Sequence, residues 1–334
     1  MQSDSLKIYS GKKVLVTGGT GLIGRPLVQR LLGLGAHVTV VSLDQPPPQR
    51  EYEFKRGDLR DFGFCKTAIS GQQIVFHLAG IKGSVGIGRK KGASFMVPTI
   101  QFNTNVLEAA RLAGVERCLY TSTIGVYPPA ELFREDDAWS APPQEADRYA
   151  GWAKRMGELQ VKAYEEEYGW SSVAIVRPAN VYGPGDNFDP KTAMVIPALI
   201  ARVASGENPL RVWGNGRAQR DFIYSDDVAR GMLLALALAA DGTPINLGSG
   251  RGCSIREAAE GIVSCFENGP RIEWDTSKPS GEGARILDVT RARERLGFEC
   301  AVSMQEGLRQ TVEWYRRHQP ELANRYNVFY EAVR

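Results

Sequence analysis

The chain has 334 residues, of which 43% are hydrophobic and 24% charged, and its formal net charge is +3. This length suffices for one large domain or for a cofactor domain with a smaller lobe, and the composition is that of a globular protein. The small charge, spread along the chain, gives no support for a nucleic-acid partner or for binding to a membrane surface.

The start of the chain and the cysteine spacing predict a cytoplasmic protein without a resident metal. The N-terminal stretch MQSDSLKIYSGKK has no apolar core of the kind found in signal peptides, and the longest apolar run, at 232–240, is too short to span a bilayer. Five cysteines lie far apart without a CxxC spacing, which is typical of reduced thiols. With only three histidines, a histidine-based metal site is not expected.

In the first half of the chain, short β-branched runs alternate with amphipathic segments. The predicted strands are 14–17, 38–41, 54–56, 74–78, 117–122 and 173–176. The predicted helices between them are 22–34, 60–69, 99–112 and 150–168. This alternation implies right-handed crossovers, and it predicts an α/β fold with a doubly wound parallel sheet of the Rossmann type.

Beyond Arg177 the pattern changes. Gly, Pro and Asn are concentrated at 178–190 and mark long loops, and shorter mixed elements follow, ending in a long helix at 303–318. We expect a Rossmann domain at 11–182, to which 221–248 return. The segments 183–220 and 249–334 are expected to form a smaller, mixed α/β C-terminal lobe that binds the substrate.

A glycine-rich turn, VTGGTGLIG, joins the first predicted strand to the first predicted helix. Gly18 permits the tight turn, Gly21 lets the backbone approach a pyrophosphate, and Gly24 lets helix and strand pack closely. The free N–H groups of the helix N-terminus would bind the phosphates. The predicted cofactor contacts of this turn are Gly18, Thr20, Gly21, Leu22, Ile23 and Gly24.

Cofactor choice depends on the end of the second strand, where a carboxylate binds the ribose of NAD and repels the extra phosphate of NADP. Ser42 occupies the usual acidic position, and Asp44 follows two residues later. Asp44 either reaches the ribose or is a solvated loop carboxylate, so NAD or NADP is expected, with NAD favoured. Asp58 and Leu59 follow the third strand, where they would lie beside the adenine or, for Asp58, cap the next helix.

Taken together, the motifs resemble those of the extended short-chain dehydrogenase/reductases, also called the NAD-dependent epimerase/dehydratase family. The similar stretches, which cover nearly the whole chain, include TGGTGLIG, GDLRD, VFHLAG, YTSTIGVYP, WAKRMGE, RPANVYGP and RDFIYSDDVARG. The resemblance implies a Rossmann fold, a nucleotide-sugar substrate, and cofactor contacts from Leu78 and Ala79 in VFHLAG.

The family oxidises or reduces a sugar C–O bond with a Tyr as acid and base, a Ser or Thr that hydrogen-bonds the same oxygen, and a Lys that holds the nicotinamide ribose. Thr123 and Lys154 match the second and third of these. The family spacing is Tyr-x-x-x-Lys, but Tyr149 lies five residues before Lys154, and Ala150 occupies the expected position. Because five helical positions are about 140° apart, Tyr149 can act only if the chain bulges near Gly151 or if Tyr149 precedes the helix.

Within the family, the second half of the chain is most similar to the GDP-L-fucose synthases. The resemblance assigns substrate contacts to Asn180, Arg202, Trp213, Arg220 and Lys278. In those synthases a Cys and a His epimerise two further carbons, whereas this chain has Gly125 and Met194 at the two positions. Neither residue can carry a proton. The Asp-Glu pair that dehydratases carry after their Thr is also missing.

These observations predict an NAD(P)-dependent nucleotide-sugar epimerase or reductase that transfers hydride at one sugar carbon, with C4 of an NDP-hexose or 4-keto sugar favoured. A fucose-synthase-like epimerase/reductase and a non-catalytic cofactor-binding sensor or scaffold are the alternatives. The resemblance also implies a homodimer formed by the helices at 99–112 and 150–168. Val106, Leu107, Ala110 and Leu159 would form its seam, unless the sheet buries them instead.

Overall fold

The computed structural model describes residues 2–46, 49–278, 280–281, 283–322 and 329. In chain order its strands are β1 (Lys13–Thr17), β2 (His37–Ser42), β3 (Glu53–Arg56), β4 (Ile74–His77), β5 (Arg117–Thr121), β6 (Leu132–Phe133), β7 (Val173–Pro178), β8 (Asn180–Tyr182), β9 (Leu210–Trp213), β10 (Gln219–Tyr224), β11 (Pro244–Leu247), β12 (Gly252–Ser254), β13 (Ile272–Asp275) and β14 (Ala284–Leu287).

The helices, also in chain order, are α1 (Gln2–Ser5), α2 (Gly24–Gly33), α3 (Phe62–Ile69), α4 (Val85–Lys90), α5 (Gly92–Leu112), α6 (Arg148–Tyr168), α7 (Val195–Ala204), α8 (Ser225–Leu238), α9 (Ile255–Val263), α10 (Thr290–Leu296) and α11 (Met304–Leu322). Among the helices of the described residues, none is both long enough and apolar enough to cross a bilayer.

The large sheet has seven parallel strands in the order β11-β7-β5-β4-β1-β2-β3. Its central strands are buried on both faces, so they read as continuous apolar runs. Val14 and Val16 belong to the core on one face, while Leu15 belongs to the core on the other. The predicted doubly wound Rossmann sheet is confirmed.

Helices cover both faces of this sheet. α2 packs beside α8 on one face, while α3, α5 and α6 cover the other. Val106, Leu107 and Ala110 on α5 are fully buried by the sheet within the chain itself. Their alternative placement in a dimer seam is therefore wrong, whereas Leu159 on α6 remains 48% exposed.

The smaller lobe is built on a second, five-stranded sheet of β12, β10, β14 and β6, with β8 paired to β10, and on the β9–β13 pair. α7, α9 and α11 enclose its core. After β10, the chain returns to the Rossmann sheet, where α8 packs on α2 and β11 extends the edge beside β7. β10 itself lies in the sheet of the lobe.

Candidate functional site

The carboxyl ends of β1 and β4 mark the point where the strand order of the large sheet reverses. From β1 the sheet grows through β2 to one edge, and from β4 it grows through β5 to the other. In open α/β sheets, the loops that leave such a switch point diverge and form a crevice for ligands. Most of the residues predicted as cofactor and catalytic residues follow strands that end at this edge.

The glycine turn connects β1 to α2 with very little space. Gly18 has a φ of +68°, and a Cβ there would lie 3.1 Å from the backbone of Ala79. A Cβ on Gly24 would lie 2.2 Å from the carbonyl oxygen of Gly18, which no side chain could accommodate. α2 begins at Gly24, directly after Leu22 and Ile23. The turn therefore presents backbone and a helix N-terminus to a ligand, the arrangement that a pyrophosphate requires.

The end of β2 is tied to the same turn through side chains. The Thr20 hydroxyl donates to a carboxylate oxygen of Asp44 at 2.6 Å and lies 2.8 Å from the hydroxyl of Ser42. The backbone N–H of Asp44 donates to the Ser42 hydroxyl. The structure thus places Ser42, Asp44 and Thr20 together, and Asp44 is half-buried rather than a freely solvated loop residue.

Asp58 and Leu59 lie after β3, as predicted, but Asp58 does not cap the helix that follows. Asp61 is the N-cap of α3 and accepts from the N–H of Phe64. The carboxylate of Asp58 instead binds Arg60. Burial alone would raise the pKa of Asp58, but the hydrogen bonds and charge of Arg60 outweigh it and hold the pKa below its usual range.

A buried chain of hydrogen bonds runs from β1 to α6. The N–H groups of Leu78 and Ala79 donate to the hydroxyl of Thr17, which lies 2.8 Å from Nδ1 of His77. Since the Thr17 oxygen accepts twice, its own proton goes to His77, whose Nε2 then donates to the Asn103 side chain at 2.9 Å. Burial, with a contribution from a nearby positive charge, lowers the pKa of His77 to about 3, so the ring is neutral.

This series of hydrogen bonds ends on α6. The side-chain amide of Asn103 donates to the Tyr120 hydroxyl at 3.0 Å, and that hydroxyl donates to the backbone carbonyl of Lys154 at 3.1 Å. Every donor in this series has one acceptor, so the helix that carries Lys154 is held in register with the strands that carry the glycine turn.

Thr123 and Lys154 both lie at the end of β5. The Thr123 hydroxyl accepts from the N–H of Gly125 at 3.2 Å, which leaves its own proton available to a ligand. The Lys154 ammonium donates to the carbonyl of Thr121 at 2.8 Å and lies over the ring of Tyr120. Burial lowers the pKa of Lys154 to about 7, although the negative charge of Glu158 opposes this shift.

Glu158 itself belongs to a buried ion pair below the site. Its carboxylate accepts two hydrogen bonds from the Arg177 guanidinium, at 2.9 and 2.6 Å, and a third from Ser122 at 2.5 Å. The two charged side chains are 4% and 1% exposed. Arg177 also donates to the hydroxyl of Tyr127 and to the carbonyl of Glu135. This network joins β5, β7 and α6 directly behind Lys154.

The structure does not bring Tyr149 to Lys154. α6 is a regular α-helix from Arg148 onward, so there is no bulge at Gly151 and Tyr149 does not precede the helix. Both geometries that would bring Tyr149 round to Lys154 are therefore wrong. The ring of Tyr149 packs against Gly92 at the start of α5 and is 43% exposed. Ala150, in the family's tyrosine position, carries no ionisable group.

The predicted substrate residues lie in the lobe and along its junction with the sheet. Asn180 donates to the carbonyl of Asp221, Arg202 pairs with Glu207, and Arg220 donates to the carbonyl of Gly283. Lys278 is exposed, and Trp213 is 67% exposed at the end of β9. Asn180, Arg202 and Arg220 are thus each tied by a hydrogen bond or ion pair to a residue of the lobe.

Two ion pairs at the same edge of the sheet escaped the sequence analysis. The Lys82 ammonium binds both carboxylate oxygens of Asp186, at 2.8 and 2.9 Å, and thereby connects the loop after β4 to the loop after β8. Arg285 of β14 binds Asp147, the residue before α6, at 2.5 Å. Their partners are 104 and 138 residues apart. Only the position of Asp147, seven residues before Lys154 and hence about two helical turns away, could have drawn attention to it.

Comparison with known proteins agrees with this geometry. A family model described as the NAD dependent epimerase/dehydratase family matches residues 14–248. The dTDP-4-dehydro-6-deoxy-D-allose reductase of Streptomyces bikiniensis is 30% identical over 323 residues, which are 93% of this chain and 98% of the relative. A probable GDP-L-fucose synthase of Oryza sativa subsp. japonica is 30% identical over 313 residues, 91% of this chain and 92% of the relative.

Among solved structures, the UDP-glucose 4-epimerase of Thermotoga maritima, determined with UDP-glucose, has a TM-score of 0.78 and 31% identity. The alignment covers 92% of this chain and 99% of the epimerase. These relatives are nucleotide-sugar epimerases and reductases, and the matching family uses NAD, so the predicted enzyme class and cofactor are confirmed. The chain belongs to the NAD-dependent epimerase/dehydratase family.

Proposed function

We propose that this protein transfers hydride between a nicotinamide cofactor and one carbon of a nucleotide-bound hexose, with C4 of an NDP-hexose or a 4-keto sugar as the reacting centre. The observation that carries the proposal is the convergence of the glycine turn, Thr123 and Lys154 at the switch point of the sheet. A phosphate cradle, a hydroxyl donor and an ammonium group there provide the parts that a nicotinamide-dependent sugar oxidoreductase needs.

The residues present fit a dinucleotide. The tight turn depends on glycine, because a Cβ at Gly18 or Gly24 would collide with neighbouring backbone. In this proposal the turn binds the pyrophosphate, Asp58 and Leu59 flank the adenine, and Leu78 and Ala79 line the path toward the nicotinamide. Asp44 favours NAD, since a carboxylate fixed to the glycine turn accepts from ribose hydroxyls and repels a 2′-phosphate.

When bound, the cofactor supplies or accepts the hydride. Lys154 would hold the nicotinamide ribose, and Thr123 would donate to the sugar oxygen whose carbon reacts. A pKa of about 7 keeps a substantial fraction of Lys154 charged at neutral pH, which favours a negative charge developing on that oxygen. Asn180, Arg202, Trp213, Arg220 and Lys278 remain the proposed contacts of the sugar nucleotide, and the division into a Rossmann domain and a substrate lobe remains part of the same proposal.

The test is a substrate panel. The purified protein is analysed by mass spectrometry for co-purifying NAD or NADP, then incubated with UDP-, dTDP- and GDP-hexoses and with a 4-keto-6-deoxy sugar nucleotide. Retained NAD with sugar interconversion and no net cofactor use indicates an epimerase, whereas consumption of added NADH or NADPH indicates a reductase. The proposal would be contradicted if the protein bound no cofactor and turned over no member of the panel.

A second candidate is a cofactor-binding sensor or scaffold without turnover. The observation in its favour is the separation of Tyr149 from Lys154, because the family's proton-transfer group is then missing from its usual place. Cofactor binding without turnover on any sugar nucleotide in the panel would support this alternative.

We also propose a homodimer through α5 and α6. Apolar side chains are exposed on these two helices, namely Val97, Leu112, Met156, Leu159 and Tyr168. Exposed apolar side chains on two paired helices favour association with a second copy. A cytoplasmic location is proposed as well, since the cysteines are all free and such thiols persist in a reducing compartment.

A further inference from the structure

Asp147 is the N-cap residue directly before α6, seven residues and about two helical turns ahead of Lys154. Tyr149 lies five helical positions before Lys154 and hence about 140° away from it around the helix. Asp147 contacts the turn after β5, whereas Tyr149 packs against Gly92 of α5.

Asp147 lies directly beside the turn that carries Thr123. A Cβ built on Gly125 would come within 3.2 Å of the Cβ of Asp147 and 3.4 Å of its carboxyl carbon. The same point is 3.4 Å from the methyl group of Thr123. Because Gly125 has no side chain, the carboxyl group of Asp147 and the methyl group of Thr123 both border the space that a Cβ would occupy.

This approach is fixed by close packing. Gly151, one turn after Asp147, lies so near the carbonyl of Gly125 that a Cβ would meet the oxygen at 2.3 Å. Further along, a Cβ on Gly157 would meet the Tyr120 hydroxyl at 2.2 Å. Two glycines on the inner face of α6 thus let the helix descend onto β5, and the position of Asp147 follows from that contact.

Arg285 orients the carboxylate from the other lobe. One guanidinium nitrogen binds Oδ2 of Asp147 at 2.5 Å, and the Asp147 side chain remains 25% exposed. Asp147 does not cap α6 with its side chain. Within the part of the chain that the structure describes, Oδ1 makes no hydrogen bond, and the buried Nε of Arg285 has no partner. One acceptor and one donor are thus left for a ligand between the lobes.

We propose that Asp147 is the proton-transferring group of this protein and takes the role that Tyr149 cannot fill. In sugar oxidation, the O–H bond at the reacting carbon would break, its proton would pass to Oδ1 of Asp147 and the C=O bond would form, with a bound nicotinamide serving as the hydride acceptor. In reduction, hydride returns to carbon and protonated Asp147 gives its proton to the oxygen. Thr123 hydrogen-bonds the same oxygen, and Arg285 is a positioning residue.

The inference rests on the proposed function, and its test compares two neighbouring residues. Asp147→Asn keeps the shape and the bond to Arg285 but cannot accept a proton, and Tyr149→Phe is the matched control. Turnover is followed on the UDP-, dTDP- and GDP-hexoses of the panel as sugar interconversion, and on the 4-keto-6-deoxy sugar nucleotide as oxidation of added NADH or NADPH. We expect Asp147→Asn to lose on the order of a hundredfold or more in kcat, with NAD binding unchanged, and Tyr149→Phe to stay within threefold of wild type.

A second variant separates chemistry from packing. Asp147→Ala opens space beside Gly125, so added formate should restore part of its turnover, whereas added chloride should not. A merely structural role of Asp147 would not produce this rescue. An active wild-type protein with an equally active Asp147→Asn variant would overturn the inference alone. A wild-type protein inactive on all these probes would contradict the proposed function, and the inference would fall with it.

Discussion

Replacing Glu158 tests how strongly the buried ion pair behind the site stabilises the fold. Glu158→Gln leaves Arg177 buried with at most one of its two hydrogen bonds to this side chain and without the Glu158 charge. Breaking a buried pair by neutralising one partner costs about 3–5 kcal/mol. Since the amide oxygen still accepts one of these bonds, we expect a loss near the lower figure.

The matched control is Glu116→Gln. Glu116 pairs with Lys12 at 2.7 Å, nearly the same length as the Glu158–Arg177 contact, but its side chain is 49% exposed. Exposed pairs contribute roughly 0–1 kcal/mol, so this variant should unfold almost as the wild type does. Urea unfolding followed by circular dichroism compares the two variants. Equal losses would refute the reasoning, because it attributes the larger loss to the burial of the Glu158–Arg177 pair.

Glu158→Gln should also change the pH dependence of turnover. The Glu158 charge raises the pKa of Lys154 toward its value of about 7, so its removal lowers that pKa further. If turnover needs charged Lys154, activity falls as the pH rises through this pKa, and Glu158→Gln moves the fall to lower pH. A pH–rate profile with an unmoved alkaline limb would contradict the assignment of that limb to Lys154.

Further expectations concern the cofactor site and assembly. Lys154→Met should abolish turnover and weaken NAD binding. Between pH 7 and 10 the unfolded Lys154 side chain holds a proton that the folded one has largely lost, so the stability difference between the wild type and this variant should shift in favour of the wild type as the pH rises. Asp44→Ala should weaken NAD binding on the order of tenfold or more and NADP binding less, measured by titration calorimetry. Gly24→Ala should abolish cofactor binding, whereas Gly33→Ala at the end of the same helix, where a Cβ meets nothing, should leave it intact. Leu159→Asp should convert the proposed dimer to a monomer in sedimentation experiments. A wild-type protein that sediments as a monomer would contradict the proposed dimer.

The strands of the large sheet could be predicted from the sequence because strands buried on both faces consist of continuous apolar runs. The prediction placed the start of α5 seven residues late for a physical reason. Pro98, one residue before the predicted start, lacks an N–H and is disfavoured in a helix interior. In the structure α5 begins at Gly92 and contains Pro98, and Phe95 and Phe102 on either side of it are buried. Tertiary burial of these rings outweighs the local preference.

The residue at which α6 begins, and hence the direction of Tyr149 relative to Lys154, could not be predicted from the local sequence. The spacing of Tyr149 and Lys154 showed that a regular helix would separate them, but a bulge or a later helix start remained open until the helix was seen to begin at Arg148. The Arg285 contact was harder still, since its partner lies 138 residues earlier and in the other lobe. Pairings of this kind follow from the packing of two sheets, which no periodicity in either segment encodes.

Gly125 and Asp147 show that the chemistry of this site cannot be inferred from single positions of the sequence. Considered alone, Gly125 indicates only that the cysteine found at this position in fucose synthases, a proton-transfer group, is absent. Considered together with the structure, its missing Cβ is the space beside which the carboxyl group of Asp147 lies, and the same is true of Gly151, whose missing Cβ lets α6 approach. A larger residue at 125 would displace Asp147 from Thr123. The absence of a side chain at one position and the presence of a carboxylate at another are therefore one feature of the site, and its chemistry follows from the pair rather than from either residue.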